Sequence, residues 1–242
     1  MNEKKEIRNI PRLLALHLLP GLAVVAGYAV LARMEALQGY PRTFVLGVAA
    51  ILFLVPVELG VLLFLAKKET GRYDLRPILG LSNKLKAWEY AVYAVLLFVL
   101  AGLGITLMKP VTQFFAGGMF GWVPEWFRLT EDMSRFGKNI LVGTMGIEFV
   151  ALVILAPIVE ELYFRGFLMS RMKWMGYYGV VLNTLLFAVY HFWSPWQIGA
   201  RFVGMLPLFL VVYRKDSLKL SILVHCLCNF TDVVALLALL KP

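Results

Sequence analysis

Glu160 and Glu161, with Arg165 four residues on, stand inside one of the most apolar stretches of the chain, in "PIVEELYFRG" (Pro157 to Gly166). Charges at such depth are costly and are kept where they meet a partner or a cavity. Glu161 and Arg165, at i and i+4, share a helix face and can pair. Glu160 lies ~100° around the helix and meets that arginine less well. One carboxylate is therefore expected to be neutralised locally, while the other points elsewhere and can act as a base. Asn183, Phe187 and His191 form a stripe at i, i+4 and i+8, and Ser221, His225, Asn229 and Asp232 form another. A carboxylate, two imidazoles and an amide suffice to activate water and to stabilise an oxyanion. Polar stripes also glue helices together, so spacing alone does not decide between the two roles. Glu148, Arg201 and Asp232 read as packing or supporting groups, Glu58 beside Pro56 as part of a helix kink, and His17 as lying near an interface.

The elements that would carry these groups are membrane helices. Of 242 residues, 60% are hydrophobic and only 16% charged, and the mean hydropathy is +0.76. A soluble domain is nearer half apolar and a quarter charged. The expected fold is all-α, a polytopic integral membrane bundle of about seven to eight transmembrane helices. Spans fall near 13–32, 44–66, 87–108, 139–160, 176–192, 198–213 and 218–240, each near the ~20 residues a bilayer requires. The sixth is short and contains Arg201. For Glu160 to reach the depth of His191, the fourth helix must continue past Arg165 to about Lys173, ~20 Å beyond Glu160. The segment 110–138, with Trp122, Trp126 and Phe127 beside charges, reads as interfacial, and its first part could form an eighth, re-entrant element. The chain reads as one transmembrane domain, 1–242, with N-terminal membrane helices and the interfacial segment in 1–138 and the polar stripes in 139–242.

The net charge of +9 does not indicate a nucleic-acid partner, because the basic residues lie between apolar runs rather than in one patch. Lys and Arg number 16 in the N-terminal tail and the segments 67–86, 161–175 and 214–219, against 7 in the segments that seven spans place on the opposite side. That excess predicts a cytoplasmic N-terminus and, with seven spans, an external C-terminus; an eighth span would reverse the second half. The basic N-terminus followed by an apolar run is read as a retained first helix, since no small-x-small cleavage site stands out. Cys226 and Cys228 offer neither a disulfide framework nor enough thiolates for structural zinc.

Three segments together, "EELYFR" (Glu160 to Arg165), "FAVYH" (Phe187 to His191) and "HCLCN" (His225 to Asn229), resemble the signature of the CAAX protease and bacteriocin-processing (Abi) family of intramembrane endopeptidases. The resemblance covers roughly 140–240. It implies a helical membrane endopeptidase, whose eukaryotic relatives remove the last three residues of prenylated CAAX proteins. Bacterial relatives are associated with peptide maturation, bacteriocin self-immunity and the regulation of surface-protein or signalling pathways. Carried over residue by residue, Glu160 with His191 would activate water, His225 and Asn229 would stabilise the oxyanion, and Glu161 and Arg165 would support them.

The resemblance further implies a membrane-embedded or lipid-modified peptide or protein as substrate, the lipid bilayer as surroundings and no nucleic acid. The expected location is multi-pass in the cell inner or plasma membrane. Zinc on Glu160, His191 and His225 is possible, since all three are legitimate ligands. No His-Glu-x-x-His pair is present, and binding zinc would leave little to act as base, so no cofactor is expected. Two rival readings are a non-catalytic scaffold or self-immunity protein retaining the fold, and a small proton-coupled transporter whose His and Glu relay protons.

Overall fold

A computed structural model describes residues 6–240. Among the described residues, eight helices longer than a single turn follow one another: α1 (Ile10–Leu31), α2 (Arg42–Thr70), α3 (Ala87–Leu107), α4 (Lys109–Gly117), α5 (Lys138–Met169), α6 (Tyr177–Tyr190), α7 (Ile198–Lys215) and α8 (Leu218–Leu239). Among the described residues there is no strand, only an isolated bridge between Ser82 and Ser217. All but α4 and α6 are long and apolar enough to cross a bilayer, α7 together with the turn at Pro195–Gln197. The chain is an all-α, multi-pass integral membrane protein. With 14 residues, or ~21 Å, α6 is shorter than the span expected at 176–192 and stops before His191. The nine residues of α4 occupy the place of the expected eighth element, and none of them is buried.

In α5 the helix runs past Arg165 to Met169, as expected in direction but short of the expected end near Lys173, which lies in a separate 3-10 turn. Proline shapes its interior. Ala156 donates its N–H to Ala151 O, five residues back, within a π segment at Glu148–Leu155, and Pro157 follows with no N–H to give. In α2 the same sequence of events occurs: Val55 donates to Ala50 O at the end of the π segment Ala50–Leu54, and Pro56 follows. A helix without water to satisfy its backbone accommodates proline by such register shifts and by borrowed donors. In α1, Pro20 frees the carbonyl four residues earlier, on Leu16. The Tyr163 hydroxyl of α5 donates to that oxygen at 2.7 Å, which ties α1 to the helix carrying Glu160.

The connections gather at two ends. At one, Gly80 N–H donates to Gly166 O at 2.7 Å, Leu218 N–H to Leu81 O at 2.8 Å and Ile7 N–H to Arg171 O at 3.2 Å. Lys173 pairs there with Asp216 at 3.1 Å. Gly71, at φ 74°, ends α2 in the left-handed conformation that suits glycine. The four basic segments thus meet on one side of the bundle; Lys4, Lys5 and Lys241, which enter the charge comparison, lie outside the described residues. At the other end, Tyr28 Oη donates to Phe127 O at 2.9 Å, and Glu131 accepts from the Arg42 backbone N–H and the Arg135 side chain. One hydrophobic cluster joins both halves of the chain, from Leu13 and Leu62 to Phe164, Phe187, Phe209 and Val224.

Candidate active site

Glu160 closes an α turn of α5, and Glu161 opens a second π segment that runs to Met169. Such segments are over-represented at functional sites because they re-aim side chains. The two carboxylates do not diverge as simple helical spacing predicts. Both face His225 of α8, one at each ring nitrogen: Nδ1 lies 2.8 Å from Glu161 Oε1, and Nε2 lies 3.7 Å from Glu160 Oε2. Glu161 also accepts from Ser221 Oγ at 2.5 Å, and Arg165 Nε lies 3.4 Å from it. Surrounded by donors, Glu161 accepts a hydrogen bond from Nδ1–H of His225, which leaves Nε2 as the atom presented to Glu160.

The Glu161–Arg165 pair is present, but its setting exceeds what the spacing implied. The guanidinium carbon of Arg165 lies 3.2 Å from the Phe209 ring centroid and 4.0 Å from that of Phe187, so the cation is sandwiched between aromatic faces. None of its nitrogens makes a hydrogen bond among the described residues. Phe187, the first residue of "FAVYH", is the hub. Besides Arg165 it meets His191 edge-on at 4.8 Å and His225 at 5.9 Å between centroids.

His191 is the first residue beyond α6, not its last turn. Its Nδ1 lies 2.7 Å from Phe187 O. A carbonyl only accepts, so Nδ1 carries a proton and Nε2 keeps a lone pair in the neutral ring. Tyr190 and Trp193 pack against the imidazole at 5.1 and 4.9 Å. Arg201 of α7 holds the loop that follows, donating to Ser194 Oγ at 2.6 Å and to Gln197 Oε1 at 2.8 Å. The supporting role expected of Arg201 is therefore performed on the loop after His191.

Asn183 does not join the site. Its Nδ2 donates to His17 Nε2 at 3.0 Å and to Phe164 O at 3.1 Å. His17 is fully buried in α1 rather than near an interface, its Nδ1 donating to Leu13 O at 2.8 Å. Both residues are consumed in fastening α1 to α5 and α6. Glu58 is also fully buried, beyond the π segment and proline of α2, and accepts from Tyr190 Oη at 2.6 Å. Glu148 is buried in the first π segment of α5, and Asp232 is exposed.

Asn229 lies one turn beyond His225 on the same face of α8, and its Nδ2 donates to Leu152 O at 2.8 Å. In the π register set by Ala156, the next N–H would bond to Leu152 O, but the next residue is Pro157. The amide fills the place of the missing backbone donor. A carboxamide has two N–H groups, so one proton is committed to α5 and the second remains for another acceptor.

Exposure sorts the cluster. Glu160, His225 and His191 retain 3%, 5% and 9% of their surface, whereas Glu161 and Arg165 retain none. The first three keep a trace of exposure, while the last two are wholly enclosed. Among the described residues, no group of three His, Cys, Asp or Glu side chains is arranged to hold a metal ion.

Residues 143–231 match the family model for the Type II CAAX prenyl endopeptidase Rce1-like domain. Over these residues the chain is similar to the CAAX protease family. Neither the curated proteins nor the solved structures gave a match to the chain. The Rce1-like segment contains Glu160, Glu161, Arg165, His191, His225 and Asn229, and its family is one of peptidases. Glu58 lies outside the segment. The sequence reading passed over Phe209 as a wall of the Arg165 site and Tyr190 as a wall of the His191 site. Phe209 carries no local signal, since one aromatic in an apolar helix resembles any other. Tyr190 carries a faint one, a hydroxyl directly before the motif histidine.

Proposed function

We propose that the chain is an intramembrane endopeptidase that hydrolyses a peptide bond of a membrane-associated protein or peptide with water activated by Glu160. The observation that carries this reading is the His225 ring set between two adjacent carboxylates, one wholly buried and one reaching the surface. Glu160 removes a proton from water, and His191, with Nε2 unprotonated, assists as the second base. The attacking hydroxide adds to the scissile carbonyl, and charge develops on its oxygen. That oxyanion is stabilised by Nε2–H of His225 in its protonated form, whose Nδ1–H rests on Glu161, and by the uncommitted N–H of Asn229. The tetrahedral intermediate then collapses with cleavage of its C–N bond, and the proton gathered from water by the bases passes to the leaving amine. Glu161 and Arg165 fix His225 and take no part in bond making. The reaction proceeds without a metal ion on this reading, and the chain lies in the cell inner or plasma membrane with its basic end, including the N-terminus, in the cytoplasm.

Mass spectrometry of membrane-associated peptides from matched wild-type and Glu160→Ala cells tests the reading. A cleavage product found only with the intact carboxylate is expected, and the purified protein should keep its rate after treatment with a chelator. A purified Glu160→Ala variant that cuts a validated substrate at the wild-type rate refutes the assignment of the base. A pH-gradient-driven flux without proteolysis replaces it with a carrier.

A further inference from the structure

Glu58 is a carboxyl group on α2 with no exposed surface, far from the motif helices in sequence and outside the family match. Burying a carboxyl group is costly unless its oxygens are bonded. Here the Tyr190 hydroxyl donates to Oε1 at 2.6 Å, while Oε2 has no hydrogen-bond partner among the described residues. A hydroxyl could be satisfied by a backbone carbonyl, as that of Tyr163 is by Leu16. The acid is therefore more than the minimum needed to satisfy a tyrosine.

Tyr190 directly precedes His191, and the chain leaves the helix between them: His191 has φ −78° and ψ 58°. With its backbone outside the helix, His191 is oriented by the Phe187 carbonyl and by the rings of Phe187, Tyr190 and Trp193. The Tyr190 ring stands perpendicular to the imidazole and also packs on Phe164 at 4.9 Å. Its carbonyl accepts from Phe192 N–H at 2.8 Å, inside the turn that carries His191. Gly21 of α1 approaches so closely that a side chain there would collide with the Tyr190 carbonyl and ring. The tyrosine is thus held at three points: its backbone by Gly21, its ring by Phe164 and its hydroxyl by Glu58.

We infer that Glu58 is a positioning residue for the peptidase site, pinning Tyr190 so that His191 is held with Nδ1–H on Phe187 and Nε2 directed toward the reactants. This deepens the proposed function and rests on it for the role of His191 in the reaction, but the geometric claim stands by itself. A small displacement of a base is enough to matter, since ~1 Å of misplacement can cost about 100-fold. Loosening one wall of the ring is a milder disturbance, and about a tenfold loss in kcat with KM little changed is expected for Tyr190→Phe and for Glu58→Leu. Glu58→Gln keeps an acceptor for the hydroxyl and should restore most of the rate.

Two measurements on the full chain in lipid nanodiscs keep this inference apart from the peptidase reading. The first is 15N NMR of the imidazoles, which are only three, His17, His191 and His225. The wild-type His191 ring should appear as one neutral tautomer with the proton on Nδ1. In Tyr190→Phe and Glu58→Leu it should become a mixture, and in Glu58→Gln revert, while His17 stays unchanged as the internal check on folding. Unchanged His191 signals in both Tyr190→Phe and Glu58→Leu overturn the inference, whether or not the protein cuts peptides. The second is kinetic: in a His191→Ala background, Tyr190→Phe should have no further effect on kcat. A full additional loss there shows Tyr190 acting by a route other than His191 and also overturns it. If Glu160→Ala leaves cleavage intact, the function fails while the tautomer result still decides the inference.

Discussion

Glu161→Gln removes the carboxylate paired with a fully buried guanidinium. Arg165 has no exposed surface and no hydrogen bond among the described residues, and its nearest anion is Glu161 at 3.4 Å. Removing one partner of a buried ion pair costs about 3–5 kcal/mol, because the remaining charge is left uncompensated. The flanking Phe187 and Phe209 faces, worth about 2 kcal/mol to a desolvated cation, are present with and without the carboxylate and so do not offset the change. Against a total stability of about 5–15 kcal/mol, the loss is a large fraction. At roughly 2–4 °C per kcal/mol for a chain of this size, the melting temperature should fall by about 6–20 °C. Arg165→Met in the same chain removes the stranded cation and keeps a flexible apolar side chain between the two rings. The double variant should therefore melt above Glu161→Gln, with a coupling of about 1–3 kcal/mol. Proteolytic activity should not return with stability, because the amide cannot hold His225 Nδ1 and Ser221 as the carboxylate does. Thermal unfolding of the purified variants in one detergent, followed by intrinsic fluorescence, measures all four corners of the cycle. Strictly additive shifts, or a Glu161→Gln melting temperature equal to wild type, would refute the bracing role.

Tyr163→Phe strands the Leu16 carbonyl and should cost about 1–3 kcal/mol; Pro20→Ala, which restores the backbone donor to that carbonyl, should recover much of it in the double variant. Full additivity of the two changes in thermal unfolding would show that the hydroxyl does not substitute for the missing N–H. Asn229→Ala should lower kcat by about 100- to 1,000-fold if its second N–H reaches the oxyanion, measured on the substrate found by mass spectrometry. A kcat within threefold of wild type, with a lowered melting temperature, would assign the amide to Leu152 and to helix packing alone.

The membrane class, the order of helices and the three polar motifs were legible because each rests on local information: the length of an apolar run, or a spacing of three or four residues along one helix. The pairing of Glu161 with Arg165 belongs to the same kind, both residues lying within one turn of α5. The grouping of the basic segments at one end was also legible, since alternating spans return the chain to the same side. Contacts between helices were not. The His225 ring serves two carboxylates more than sixty residues away, Asn183 is diverted to His17, Glu58 reaches Tyr190, and Asn229 completes the backbone of another helix. Two of these depend on how a proline or a π turn shifts the register, which moves every later side chain around the helix and leaves a carbonyl open at a place that spacing rules for a regular helix do not mark. The sequence by itself determined which chemical groups enter the bilayer and on which helix each rides; the packing of α1, α2, α5, α6 and α8 decided which atoms face one another, because a hydrogen bond between helices is set by axis position and rotation, neither of which a single segment contains.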